Sequence, residues 1–294
     1  MGQIKFLYNH IKSESETASL STINDGRFQS FLNFYKLKMK YERFCGTYPS
    51  EDINPYKWTS HAENHKSQIK AIIRYLNTHL KPILPDEVAI EDVANKKDFL
   101  KVRKNSTLPF NISGGTDIIL VEEQCVMAKA LKMGIYATFE LKKAVEDRHI
   151  YQAVLEMIVA DCYIDEDTKV FGVLTDLKDV WNIIWVGVNK KIRMVSLTNR
   201  KIAFDVINEM VRSDNPRIEG ISNTERVKYM DYFDGRFNDP HDDIAPMEDF
   251  YDEMDENEGL MHKTKKAIYA LKDNPIFSSM LESPPDSFTE FEDV

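Results

Sequence analysis

The chain has 294 residues, 43% of them hydrophobic, and a formal net charge of −10 at pH 7. That length allows one domain of ordinary size with extensions, and the apolar content allows a sizeable core. No run of 18 or more apolar residues occurs, so no membrane-spanning helix is expected. The start, M-G-Q-I-K-F-L-Y-N-H, shows no secretory signal. Cys45, Cys125 and Cys162 are widely spaced among apolar residues and form no Cys-x-x-Cys. They read as buried thiols in a reducing, intracellular compartment rather than as a zinc site.

Residues 1–24 read as a short ordered start followed by a loose S-E-S-E-T linker. A helix is expected over 26–44, capped by Asp25, with Phe28, Phe31, Leu32, Tyr35, Leu37 and Met39 at near-helical spacing. A second helix, over 59–80, carries the stripe Ala62, His65, Ile69, Ile72, Ile73, Leu76 and Leu80, and Pro82 and Pro85 stop it. His61 and His65 stand four apart, but H-A-E-N-H is not H-E-x-x-H, so they read as a helix-surface pair rather than metal ligands. A short helix after Pro85 would carry Glu87, Glu91 and Asp92. Lys96, Lys97, Lys101, Arg103 and Lys104 follow as a basic cluster, either an exposed helix end or a phosphate contact.

The stretch 114–156 concentrates the chemistry: G-G-T-D-I-I-L, then F-E-L-K-K, then Q-A-V-L-E. In a strand over 135–141, Glu140 and Lys142 share one face, separated by roughly 6.6 Å, while Phe139 and Leu141 turn to the core. If the run after Asp117 pairs beside that strand, two carboxylates and one amine converge. Hard cations such as Mg²⁺ take such oxygen ligands, with water and phosphate oxygens completing the shell. A neighbouring lysine can steady an attacking water or the charge growing on a phosphate. Two plainer readings fit as well: Asp117 closing a turn, and Glu140 with Lys142 on the solvated face of an edge strand. A short helix or loop is expected over 122–131 and a helix over 148–163, with Gln152 and Glu156 one turn apart on one face.

Three apolar runs follow, 170–175, 181–188 and 192–197, the last two forming a hairpin across Asn189-Lys190-Lys191. A helix over 199–212 closes the core with Ala203, Phe204, Ile207 and Met210. Lys190, Lys191, Arg193, Arg200 and Lys201 form a second basic group near the hairpin. Residues 231–258 hold 12 Asp or Glu against one basic residue, Arg236, so everything else sums to about +1. Such a block reads as a solvated tail, or as a segment that imitates a phosphate backbone and covers the basic patches. Ile268, Leu271, Ile276 and Phe277 mark a further apolar stretch over 267–280.

The order Gly-x-Asp, Glu-x-Lys, Gln-x-x-x-Glu resembles the PD-(D/E)xK nuclease superfamily, and G-G-T-D-I-I-L, F-E-L-K-K and Q-A-V-L-E-M-I-V-A-D look like the nuclease-like domain of Crinkler-type effectors. The resemblance covers about 57–211, with G-T-D in place of P-D. It implies a mixed α/β sheet flanked by helices over 57–213, with a helical extension at 1–56 and an acidic, partly disordered one at 214–294. It also implies Mg²⁺ or Mn²⁺ at Asp117, Glu140 and the main chain of Leu141, and Lys142 at the water. Gln152 and Glu156 would orient the site, and an acid from the preceding helix would come from Glu63, Glu87, Glu91 or Asp92. Lys143 would join Lys96, Lys97, Lys101, Arg103, Lys104, Lys190 and Lys191 in contacting nucleic acid, DNA first and RNA second. The implied activity is phosphodiester hydrolysis in a host nucleus. The alternative is a silent module of the same fold that binds nucleic acid or a host protein.

Overall fold

The computed structural model describes residues 17–233 apart from 64, 104–107, 109 and 165–167. The expectations for residues 1–16, Lys104, the acidic run beyond Phe233 and the 267–280 stretch fall outside the described residues. In chain order the elements are β1 (Thr17–Ser19), α1 (Asp25–Tyr35), β2 (Lys38–Glu42), α2 (Lys66–His79), β3 (Val88–Asp92), β4 (Leu100–Val102) and β5 (Asn111–Gly114). They continue with β6 (Ile118–Glu122), α3 (Glu123–Met127), β7 (Ile135–Leu141), α4 (Asp147–Asp161), β8 (Phe171–Thr175), β9 (Trp181–Gly187), β10 (Lys191–Leu197) and α5 (Arg200–Arg212).

Strands β6 to β9 are apolar almost throughout and buried on both faces. A strand with one wet face alternates; a strand that does not alternate must be covered twice. The seven-stranded sheet, ordered β2-β10-β9-β8-β7-β6-β3, achieves this by lying between two layers. On one face α2 and α5 supply Ile69, Ile72, Leu76, Phe204 and Ile207 against Trp181 and Trp185. On the other, α4 and α1 meet a small sheet, β1-β5-β4, through Val154, Ile158, Phe28, Phe31, Val102 and Ile112. Helix α4 is therefore enclosed, with every residue from Gln152 to Asp161 buried. It is the crossover that makes β8 parallel to β7. The fold is mixed α/β, sheets flanked by helices.

Several boundaries differ from the sequence expectation, each for a local reason. The first helix stops at Tyr35 because Lys36 turns left-handed (φ 55°), and Lys38–Glu42 then pairs with β10. Its cap is Asn24, whose side chain accepts from the Arg27 amide, rather than Asp25. The second helix starts only at Lys66, because His65 is extended and its Nδ1 accepts from the Ser67 amide. The segment after Pro85 is not a short helix: β3 zips antiparallel to β6, Ile90 opposite Leu120. Residues 17–56 and 214–233, on either side of the expected 57–213 domain, both pack onto it. Strand β2 completes the sheet, and its Glu42 pairs with the buried Arg193.

The 214–233 segment is fixed by cations turned inward. Arg226, 2% exposed, donates to the carbonyls of Met210 and Ser213 at 2.7 Å each and of Lys169 at 2.9 Å. It thereby satisfies the free carbonyls at the end of α5, while its guanidinium stacks over Phe171. Lys228 Nζ donates to the Ile164 carbonyl at 2.6 Å, and the Tyr229 amide donates to Asp161. Arg226→Met keeps the aliphatic stem but strands three buried carbonyls. It should cost on the order of 3 kcal/mol in urea unfolding, with an unchanged slope.

Candidate active site

Strand directions bring the chemistry to one edge. Strand β6 runs antiparallel to β7 with Ile118 opposite Phe139, so Asp117, just before β6, lies beside the last residues of β7. The Asp117 amide donates to the Phe139 carbonyl at 3.1 Å, and Thr116 Oγ1 donates to the same carbonyl at 2.9 Å. Asp117 Oδ2 in turn accepts from the Leu141 amide at 2.8 Å. Gly114 is required for close approach: a Cβ there would stand 2.7 Å from Leu20 Cβ. The G-G-T-D turn is thus sewn to β7 and its aspartate held over the strand end.

Glu140, 3% exposed, is ion-paired with Lys142, which is largely buried. The expected solvated edge is not what surrounds them: β7 is interior to the sheet, and α4 covers that face. From α4, Glu156 reaches the same spot, fully buried. Its Oε1 accepts from Gln152 Nε2 at 2.7 Å, while its Oε2 has no hydrogen-bond partner. Glu156 lies against Glu140, and two carboxylates cannot donate to one another. The pair is satisfied by one shared proton or by a cation.

The electrostatics follow. Burial first, then the neighbouring Glu140, pushes the Asp117 and Glu156 carboxyls well above the usual carboxylate range. Burial also raises Glu140, against the pull of Lys142. Lys142 is disfavoured by burial yet ends above the usual amine value, because Glu140, Asp117 and Glu63 surround it with negative charge.

Glu63 is one of the four acids the sequence left open. It sits in the loop before α2, not on the helix, and its Oε1 accepts from the Lys143 amide at 2.6 Å. Its charge acts on Asp117, Glu140 and Lys142 alike. Glu87, Glu91 and Asp92 belong to β3 or the residue before it, and Asp92 is exposed.

The basic residues divide. Lys96 and Lys97 are exposed in the 93–99 loop on the Asp117 side, where the Val93 amide donates to the Asp117 carbonyl at 3.1 Å. Lys101 and Arg103 are exposed on and just after β4. Lys143 Nζ is engaged by the His61 carbonyl. Lys190 and Lys191 are not brought to the site. Leu141 pairs with Thr175, Thr175 with Trp181 and Trp181 with Leu197, so the hairpin tip lies at the opposite end of the sheet, roughly 20 Å of strand away. Arg200 is spent on Asp52 and Asp179. His61 and His65 stack, ring centroids 4.4 Å apart, but not as two positions of one helix.

Among the described residues no three His, Cys, Asp or Glu side chains form a ready-made metal cage. Mg²⁺ does not need one, since it is held by one or two carboxylates with waters and substrate phosphates. The partnerless Glu156 oxygen and the crowded carboxyls fit a hard cation. Without one, the buried carboxyls hold protons that the same groups release in the unfolded chain as pH rises. Glu156→Gln should therefore stabilise the metal-free protein by about 1–3 kcal/mol at pH 8. The sign is set by the raised carboxyl: stability falls as pH climbs from the unfolded carboxylate range towards the folded value. The advantage of the variant should shrink as pH is lowered and the wild-type carboxyls protonate. Thermal melts in EDTA at pH 6 and 8 measure both.

The chain matches no family model. It is 22% identical over 209 residues to Crinkler effector protein 63 of Phytophthora sojae (strain P6497), a match covering 65% of this chain and 46% of that protein. It thus spans about half the length of the curated relative it matches. No solved structure matches. The comparisons support a distant, Crinkler-like relationship.

Proposed function

We propose that the chain is a Mg²⁺- or Mn²⁺-dependent nuclease of the PD-(D/E)xK type that hydrolyses phosphodiester bonds, DNA first and RNA second. The observation that carries this reading is the convergence of Asp117, Glu140, Lys142 and Glu156 from β6, β7 and α4 onto one buried edge. Asp117, Glu140 and the main chain of Leu141 would hold the cation, whose contribution when bound is to polarise the phosphate and lower the pKa of a coordinated water. Glu140 holds the Lys142 ammonium in place, so that it stabilises the attacking water and the charge developing on phosphate. Gln152 fixes the rotamer of Glu156 through its amide. Because the related Phytophthora sojae protein is named an effector, we extend the reading to an effector acting inside a host cell, in its nucleus.

A second reading, a module of this fold that binds without cutting, is favoured by the engagement of Lys142 with Glu140 and of Lys143 with the His61 carbonyl. One experiment separates them. The purified chain is incubated with plasmid and with RNA in Mg²⁺, Mn²⁺ or EDTA, beside Lys142→Ala and Asp117→Asn. The nuclease reading expects cation-dependent cutting, at least about 100-fold slower in Lys142→Ala with nucleic-acid binding retained. It also expects loss of Mn²⁺ binding in folded Asp117→Asn by calorimetry. An inert wild type that still binds establishes the silent module. A Lys142→Ala variant cutting at the normal rate removes the lysine from the chemistry.

A further inference from the structure

Helix α4 carries a third polar residue in register with the two that reach the carboxylates. His149, Gln152 and Glu156 are spaced i, i+3 and i+7, the spacing that keeps side chains on one helical face. Along that stripe enclosure increases inward: His149 is partly buried, Gln152 is 7% exposed and Glu156 is fully buried. Glu156 stands at the metal-competent cluster, Gln152 supports it, and His149 occupies the outer turn where the stripe opens to solvent. The helix is the next element after β7, joined to it by residues 142–146, and this turn lies close enough to Lys142 and Glu63 for the charges of both to act on the ring.

The imidazole is also held in one form. The Glu146 amide donates to His149 Nδ1 at 3.0 Å as part of the cap of α4. A nitrogen that accepts from an amide carries no proton, so the neutral ring bears its proton on Nε2. Burial, then Lys142 and Arg148, lowers the tendency of the ring to take a second proton, while Glu146 and Glu63 oppose them. His149 is therefore a fixed, neutral N–H donor at the mouth of a site crowded with carboxylates. A neutral donor can meet a phosphate oxygen there without entering another tight ion pair with Glu63 or Glu140.

We propose that His149 is a substrate-binding residue whose Nε2–H donates to a non-bridging phosphate oxygen of the nucleic-acid backbone next to the scissile bond. The inference rests on the phosphodiester reading of the site and adds the contact that sets register. Because it positions rather than reacts, it contributes to docking more than to the chemical step.

The test uses the full chain and His149→Asn, whose Oδ1 can still accept from the Glu146 amide while its short amide cannot replace Nε2–H at the mouth. His149→Ala, which loses both roles, is the control for the cap. Binding of a 20-base-pair DNA duplex, and of RNA of the same sequence, is read by fluorescence anisotropy in Ca²⁺; cleavage is read in Mg²⁺. His149→Asn should melt with the wild type, bind its preferred nucleic acid about tenfold more weakly and raise KM similarly, with kcat within twofold. Unchanged affinity and KM in a folded His149→Asn would overturn the proposal and leave the nuclease reading standing. A wild type that neither binds nor cuts either nucleic acid would overturn both. A tenfold loss seen only in His149→Ala, together with a lowered melting temperature, would assign His149 to the helix cap alone.

Discussion

A buried cluster of carboxyl groups at the end of β7, costly to ionise together, is the constraint on which the rest of the structure depends. Asp117, Glu140 and Glu156 meet there with Glu63 nearby, and one amine, Lys142, stands against them. Such a group cannot be assembled on a soft framework, because like charges taken out of water push their carriers apart unless packing forbids it. Each carboxylate is accordingly borne by a rigid neighbour. Asp117 is tied to the Leu141 amide, Glu140 lies in an interior strand and Glu156 in an enclosed helix.

That requirement explains the unusual degree to which the sheet is covered. Were β7 an edge strand, water would solvate Glu140 and screen it from Glu156, and the raised carboxyls would relax to ordinary values. The small sheet β1-β5-β4 has the same logic. It packs with α4 on the side away from the main sheet and so removes the solvent to which α4 would otherwise turn its outer face. The inward-turned Arg226 and Lys228 then fasten the 214–233 segment across the ends of α4 and α5 through main-chain carbonyls.

How much of this was legible in the sequence depends on range. Strands β6 to β10, and helices α4 and α5, are written in continuous apolar runs and 3.6-residue stripes that any environment would read alike. Asp117, Glu140, Lys142, Gln152 and Glu156 were legible as an order of residue types, and the pairing of β6 with β7 brings them together. What could not be read was settled by distant partners. Lys38–Glu42 alternates weakly and becomes a strand because β10 offers an open edge, so the helical spacing of Leu37 and Met39 misleads. Residues 88–92 and the three short strands of the small sheet have too few residues to outweigh their neighbours' propensities. The placement of Glu63 depends on the Lys143 amide, 80 residues further along the chain. His149 did leave a signal, three and seven residues ahead of Gln152 and Glu156, but the signal acquires meaning only once that face is known to point at Asp117.

Charge counted along the chain and charge available at the surface turn out to be different quantities. Much of the positive charge near the apparent basic groups is consumed by the fold: Arg193 by Glu42, Arg200 by Asp52 and Asp179, Arg226 by carbonyls, Lys143 by His61. The hairpin lysines face the wrong end of the sheet. Exposed cations at this end of the sheet include Lys96 and Lys97 on the side of Asp117 and Arg148 on the first turn of α4, the last shared with Glu146 at 2.9 Å. Under the proposed function these flank the site from two sides, and a phosphate backbone meeting both would have to cross the ends of β6 and β7. Long-range attraction would be slight, because outside 231–258 the charges of the chain nearly cancel. Affinity would then have to come from short, directed contacts at that edge, and its salt dependence would be shallow compared with that of a protein that grips many phosphates.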